Sequence, residues 1–208
     1  MVAESQLALP LAAEADLRGE PRILLGSANA DAARALQEPA TWPFGTAVLS
    51  GPPRSGKSLL ARWFARTRSD ATVVDDADTL PETEVFHAWN RAQESGAPLL
   101  LVAGTQEWDV ALPDLRSRLG AALHLRIGEP DDALLGALLH AHAERRRLVL
   151  GEAAATYLVP RLTRSFAAVE AVVAEIDRLS LERKVPPTRS VWRDALEAVQ
   201  GPRQEQLL

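Results

Sequence analysis

Short apolar runs and longer amphipathic stretches alternate through the first 128 residues. Four runs have strand length: TAVLSG (46–51), ATVVDDAD (71–78), APLLLVAG (97–104) and AALHLRI (121–127). RILLG (22–26) reads as a further short strand or a lead-in. Between them, SANADAARALQE (27–38), KSLLARWFART (57–67), ETEVFHAWNRAQESG (82–96) and LPDLRSRLG (112–120) carry apolar residues at three- and four-residue spacing, which predicts helices. Leu60, Trp63 and Phe64 should form one buried stripe, and Val85, Trp89 and Ala92 another. Strands alternating with helices predict a parallel sheet sandwiched by helices. After Gly128 the strand-like runs stop, and four helical segments follow, punctuated by Pro130, Gly151 and Pro186-Pro187. The expected organisation is an arm (1–20), an α/β nucleotide-binding domain (21–128), a small all-helical lid (129–200) and a tail (201–208).

Composition narrows the class. Of 208 residues, 47% are hydrophobic and 25% charged, an ordinary globular balance. A net charge of -5 argues against a protein that coats nucleic acid, which is basic overall. Cysteine is absent, which excludes disulfides, zinc thiolates and thiol nucleophiles and fits a cytoplasmic protein. Glu4 and the lack of a basic N-terminal region argue against a signal peptide, and the apolar runs are too short for a membrane span.

GPPRSGKS (51–58) fits G-x-x-x-x-G-K-S, after a predicted strand and at the start of a predicted helix. Gly51 and Gly56 let the backbone curl so that the N–H groups of Pro-flanked Arg54, Ser55 and their neighbours face phosphate oxygens, with Pro52 and Pro53 shaping the turn. Lys57 would reach the β- and γ-phosphates of ATP or ADP, and the Ser58 hydroxyl would bind Mg²⁺. The sequence has two lysines, Lys57 and Lys184, and uses arginine elsewhere. Keeping a compact ammonium at this position strengthens the phosphate reading. Asp75, ending the second strand, would hold the metal, and Asp76 would orient a water. Otherwise Asp75, Asp76 and Asp78 cap the next helix. Thr105 could sense a γ-phosphate, and Arg116 and Arg118 could reach a phosphate on a neighbouring molecule. His140 and His142 sit two apart on a helix and do not share a face, so they are read as ordinary helix residues. His87 and His124 lack a ligand constellation as well.

The order of phosphate-loop strand, acidic strand, polar residue after the third strand, arginine box and helical lid resembles the AAA+ ATPase fold. GSAN (26–29), the DD pair and LPDLRSRL resemble the AAA+ module of the replication initiator DnaA. The chain ends where DnaA continues into its DNA-binding domain, so it is similar to the Hda-type regulatory inactivators related to DnaA. QLALPL (6–11) resembles the peptide by which those proteins bind the β sliding clamp of DNA polymerase III. Pro10 biases Leu9 to an extended backbone. Leu7, Leu9 and Leu11 can then enter an apolar groove while Gln6 hydrogen-bonds at its rim. The other reading is an arm packed on its own body.

The resemblance implies that Arg118 is an arginine finger acting in trans, that Asp75 is the metal-binding acid, and that Asn29 lies near the adenine. The lid motif of DnaA carries an arginine where this chain has Ala167, and Arg164 stands in as the candidate. The implied function is an ADP-bound adaptor that binds DNA-loaded clamp and promotes hydrolysis of DnaA-bound ATP, restraining replication initiation. It would meet DNA through the clamp and no membrane, and a homodimer stays open. The alternatives are a self-contained ATPase or loader, and a DnaA-like recruiter of another protein.

Overall fold

The computed structural model describes residues 22–104 and 108–201. The chain divides into two units, at Gly128 and Glu129. In the first, the chain runs α1 (Ala30–Ala35), β1 (Thr46–Ser50), α2 (Lys57–Thr67), β2 (Thr72–Val74), α3 (Glu82–Ser95), β3 (Leu99–Val102), α4 (Pro113–Gly120) and β4 (Leu123–Arg126). The four strands form one parallel sheet in the order β2-β3-β1-β4. Every residue of β3 is buried, as is most of β1, because helices cover both faces of a parallel sheet. One face carries Val48, Leu99, Leu101, Val85 and Leu115 in a common cluster.

Helix α2 has the bounds its sequence predicts and buries Leu60, Ala61 and Phe64. Trp63 is half-buried, so the predicted stripe loses one member. The Phe64 ring lies 5.3 Å from that of Trp42. Trp89 is half-buried and packs, as expected, against the cluster that holds Val85 and Ala92.

Of the two readings of residues 22–26, strand or lead-in, the lead-in holds, since they form no strand. The Asn29 carboxamide holds this stretch, accepting from Gly26 N at 2.9 Å and donating to Leu24 O at 2.8 Å. The first helix starts at Ala30 and ends at Ala35, well inside the predicted stretch. The second strand stops at Val74, so the acids stand in the turn beyond it, and Ala77–Thr79 forms a single 3₁₀ turn.

The second unit contains α5 (Asp132–Arg145), α6 (Glu152–Leu158), α7 (Phe166–Arg183) and α8 (Arg189–Gln200). Its core joins Leu135 and Leu139 of α5, Leu158 of α6, Val169, Val173 and Ile176 of α7, and Val191 and Ala195 of α8. Asp131 caps α5 by accepting from Leu134 N at 2.8 Å. Arg183 on α7 pairs with Asp194 on α8. Among the described residues, no helix is long and apolar enough to cross a membrane.

Phe64 is fully buried, so Phe64→Ala removes an aromatic ring from a packed core. The expected loss is about 3–5 kcal/mol of unfolding free energy. Chemical denaturation checks it; a loss below about 1 kcal/mol contradicts the packing described here.

Candidate functional site

Strand β1 lies between β3 and β4, while the chain leaves it for β2 on the far side of β3. The order of strands therefore diverges at the carboxyl end of β1, where open α/β sheets form a crevice. Residues 51–58 fill that position. A Cβ on Gly51 would stand 2.8 Å from Ile127 Cβ, so the chain passes there only without a side chain. Gly56 has φ +86°, a left-handed conformation that glycine adopts without strain. The turn between them is closed by Ser55 N donating to Pro52 O at 3.4 Å.

Helix α2 begins at Lys57 with no side-chain cap and no acid in its first turn. Its N-terminal N–H groups and positive dipole end are thus presented to an anion. The Lys57 ammonium donates to Gly51 O at 2.8 Å and Pro52 O at 2.9 Å. Burial lowers its pKa from the ordinary 10.5, and Asp78, Asp75 and Asp76, in that order, partly offset this. Ser55 is 5% exposed, and its buried hydroxyl has no hydrogen-bond partner. A buried orphan hydroxyl in a loop of this form fits a phosphate oxygen.

Ser58 Oγ lies 3.2 Å from Asp75 Oδ1, which also accepts from Asp76 N at 3.1 Å. One hydroxyl and one carboxylate are hard oxygen donors, the set that Mg²⁺ takes together with phosphate and water. Among the described residues, no group of three or more acidic or histidine side chains could hold a metal alone. Asp76 is exposed, with φ +50°. None of these acids caps α3, whose N-cap is Pro81. Asp78, given no role beyond capping by the sequence, instead binds Gly104 N with both carboxylate oxygens at 3.0 Å. Its one sequence signal is a third acid in the same turn.

The remaining candidates are placed as follows. Asn29 is 5% exposed, and its carboxamide is committed to the backbone of residues 24 and 26, so it shapes the GSAN segment. Arg118 is held within its own unit. Its guanidinium lies 4.4 Å from the Phe86 ring centre and 4.2 Å from that of Trp89. It donates to Asn90 Oδ1 at 2.6 Å and pairs with Asp114 at 2.9 Å. Phe86, Trp89 and Asn90 share a face of α3, a signal present in the sequence and missed. Arg116 points elsewhere, with Nε donating to Val110 O at 2.7 Å.

In the second unit, Arg164 pairs with Asp132 at 2.8 Å. It precedes α7, which begins at Phe166, so it is not on the helix that carries Ala167. His124 contacts Leu119 O at 2.9 Å, and His140 lies 3.6 Å from Glu152. Gln6, Leu7, Leu9, Pro10, Leu11 and Thr105 fall outside the described residues.

A parallel sheet with a phosphate-type loop at its divergence point defines the P-loop class. Within it, the fold is that of AAA+ modules. Domain III of the Thermotoga maritima replication initiation protein DnaA matches with a TM-score of 0.71 at 15% identity, over 86% of this chain and 95% of that one. AMPPCP-bound DnaA from Aquifex aeolicus matches with a TM-score of 0.59 at 17% identity, over 78% of this chain and 66% of that one. The Thermotoga maritima RuvB Holliday junction branch migration motor gives 0.58 at 17% identity, over 76% of this chain and 64% of that one. No protein-family model matches the chain.

The lowered pKa of Lys57 carries a pH prediction. Phosphate favours the charged ammonium, so affinity falls once pH passes the pKa of the free site. That fall should begin below 10.5 for ADP, measured by calorimetric titration across pH. A fall starting only above 10.5 contradicts the burial of the ammonium.

Proposed function

We propose that this chain is a nucleotide-binding AAA+ adaptor of the Hda type. It docks on the β sliding clamp through residues 6–11 and promotes hydrolysis of ATP held by DnaA. The observation that carries the reading is the pairing of QLALPL with a fold similar to DnaA domain III. The phosphate loop supports nucleotide binding by this chain itself.

The residues divide the work. Lys57 exchanges the carbonyls of Gly51 and Pro52 for phosphate oxygens, while Ser55 and the first N–H groups of α2 complete the cradle. Ser58 and Asp75 would hold Mg²⁺, which neutralises phosphate charge when bound. Asp76 stands at the exposed edge of the same turn, where it could orient a water. Arg118 supplies positive charge to the nucleotide of a neighbouring DnaA, stabilising charge that develops in the transition state. To do so it must leave the rings of Phe86 and Trp89 or be met there by the partner. Asn29 fixes the segment near the base, Thr105 is the candidate γ-phosphate sensor, and Arg164 is the lid's candidate cation.

The adjacent Ser58 and Asp75 favour one second reading, a self-contained ATPase or loader. Steady-state hydrolysis by the chain alone, then with DnaA and loaded clamp, separates the two.

Two outcomes test the adaptor. Gln6→Ala with Leu7→Ala should abolish retention on immobilised clamp and leave the melting temperature nearly unchanged. Undiminished retention removes the clamp role, and a large loss of stability shows an arm packed on its own body. Arg118→Ala should keep ADP and clamp binding yet lose stimulation of DnaA-bound ATP hydrolysis, by about 10³–10⁵ if it acts as fingers do elsewhere. Arg116→Ala should lose far less. Normal stimulation by Arg118→Ala overturns the finger, and equal failure of both variants overturns its assignment to one residue.

A further inference from the structure

Of the three acids that follow β2, the one given no part in phosphate or metal chemistry is the least exposed. Asp78 is half-buried, whereas Asp75 and Asp76 are exposed. Its two carboxylate oxygens lie 3.0 Å from the same N–H, that of Gly104. The carboxylate lies close against that peptide, with Oδ2 at 3.4 Å, ordinary contact distance, from where a Cβ on Gly104 would stand. The peptide is close to the phosphate loop through the sheet. Val102 is in register with Leu49 of β1, and Ala103 N donates to Leu49 O at 2.9 Å. Two residues beyond Leu49, Gly51 opens the loop. Asp78 is also the first of the three carboxylates that offset the burial of Lys57. One side chain therefore meets the end of β3 by hydrogen bonding and the loop's ammonium by charge.

We propose that Asp78 is a positioning residue: it anchors the peptide at the end of β3 against the phosphate loop, so that this peptide is held where a nucleotide's terminal phosphate arrives. The inference rests on the nucleotide reading above. A carboxylate is repelled by phosphate, so Asp78 acts through the Gly104 peptide and not by contact with the ligand. The diphosphate end of ADP is held by the loop and α2 alone. The added phosphate of a triphosphate reaches further toward β3 and depends on the tether. A hydrogen bond to a carboxylate is among the stronger kinds, so its loss has a measurable effect.

The test uses the full chain with ADP and with AMPPCP, a triphosphate analogue. Asp78→Ala should expose the Gly104 amide to hydrogen exchange and weaken AMPPCP about tenfold, the scale of one charge-assisted hydrogen bond. ADP affinity should change by less than about threefold. Asp78→Asn keeps an oxygen that accepts from Gly104 N and should recover most of the AMPPCP affinity. An unchanged ratio of the two affinities overturns the inference. So does a folded variant in which both nucleotides weaken equally. Failure of Asp78→Asn to rescue points to charge on Lys57 in place of a tether, and also overturns it. Should Asp78→Ala not fold, Asp78→Glu, which displaces the carboxylate by one methylene, must show the same selective loss. A parent chain that binds neither nucleotide overturns the nucleotide reading and this inference together.

Discussion

Strand β1 is paired along both edges, and this confines everything that follows it. Its partners are β3 on one side and β4 on the other, so the chain beyond Ser50 has to rise out of the sheet between them. Ile127, continuing from β4, closes one side of the exit so tightly that a methyl group at position 51 has no room. The loop therefore begins with glycine for a packing reason as well as a conformational one. It ends at Gly56, where the left-handed backbone aims α2 back over the sheet. Core packing and ligand chemistry are set by the same turn.

That geometry leaves Lys57 in a costly place. A half-buried ammonium is held best when it is satisfied, and here two loop carbonyls accept from it while three nearby acids favour its charge. Its hydrogen bonds to Gly51 and Pro52 are the ones that phosphate oxygens would replace under the proposed function. Ser55 lacks any such stand-in, and its hydroxyl is left buried without a partner.

Much of this was legible in the sequence, and the exceptions have local causes. The bounds of α2 follow from the glycine before it and the apolar spacing within it, and both survive folding. RILLG has strand composition but no strand, because Asn29 takes the N–H of Gly26 and the carbonyl of Leu24 that a ladder would have used. ATVVDDAD gives a strand of three residues, because its acids are directed to Ser58 and to Gly104. Partners 17 and 26 residues away, as these are, leave no periodic trace. The surroundings of Arg118 come from helix periodicity on α3 meeting a segment nearly thirty residues later, and only the first half of that is local.

The choice of lysine at 57 in an arginine-rich chain follows from the same crowding. A guanidinium is a planar fork with five donors, whereas the site supplies two carbonyls from one tight turn. Three rotatable donors on a point charge can satisfy both carbonyls without moving the loop. Arg118 shows the converse. Its flat guanidinium lies over two aromatic rings while its edge reaches Asn90 and Asp114, an arrangement that a compact ammonium matches poorly. The two cations are therefore not interchangeable in this fold. One meets two carbonyls of a tight turn, and the other lies flat between stacking surfaces and polar acceptors.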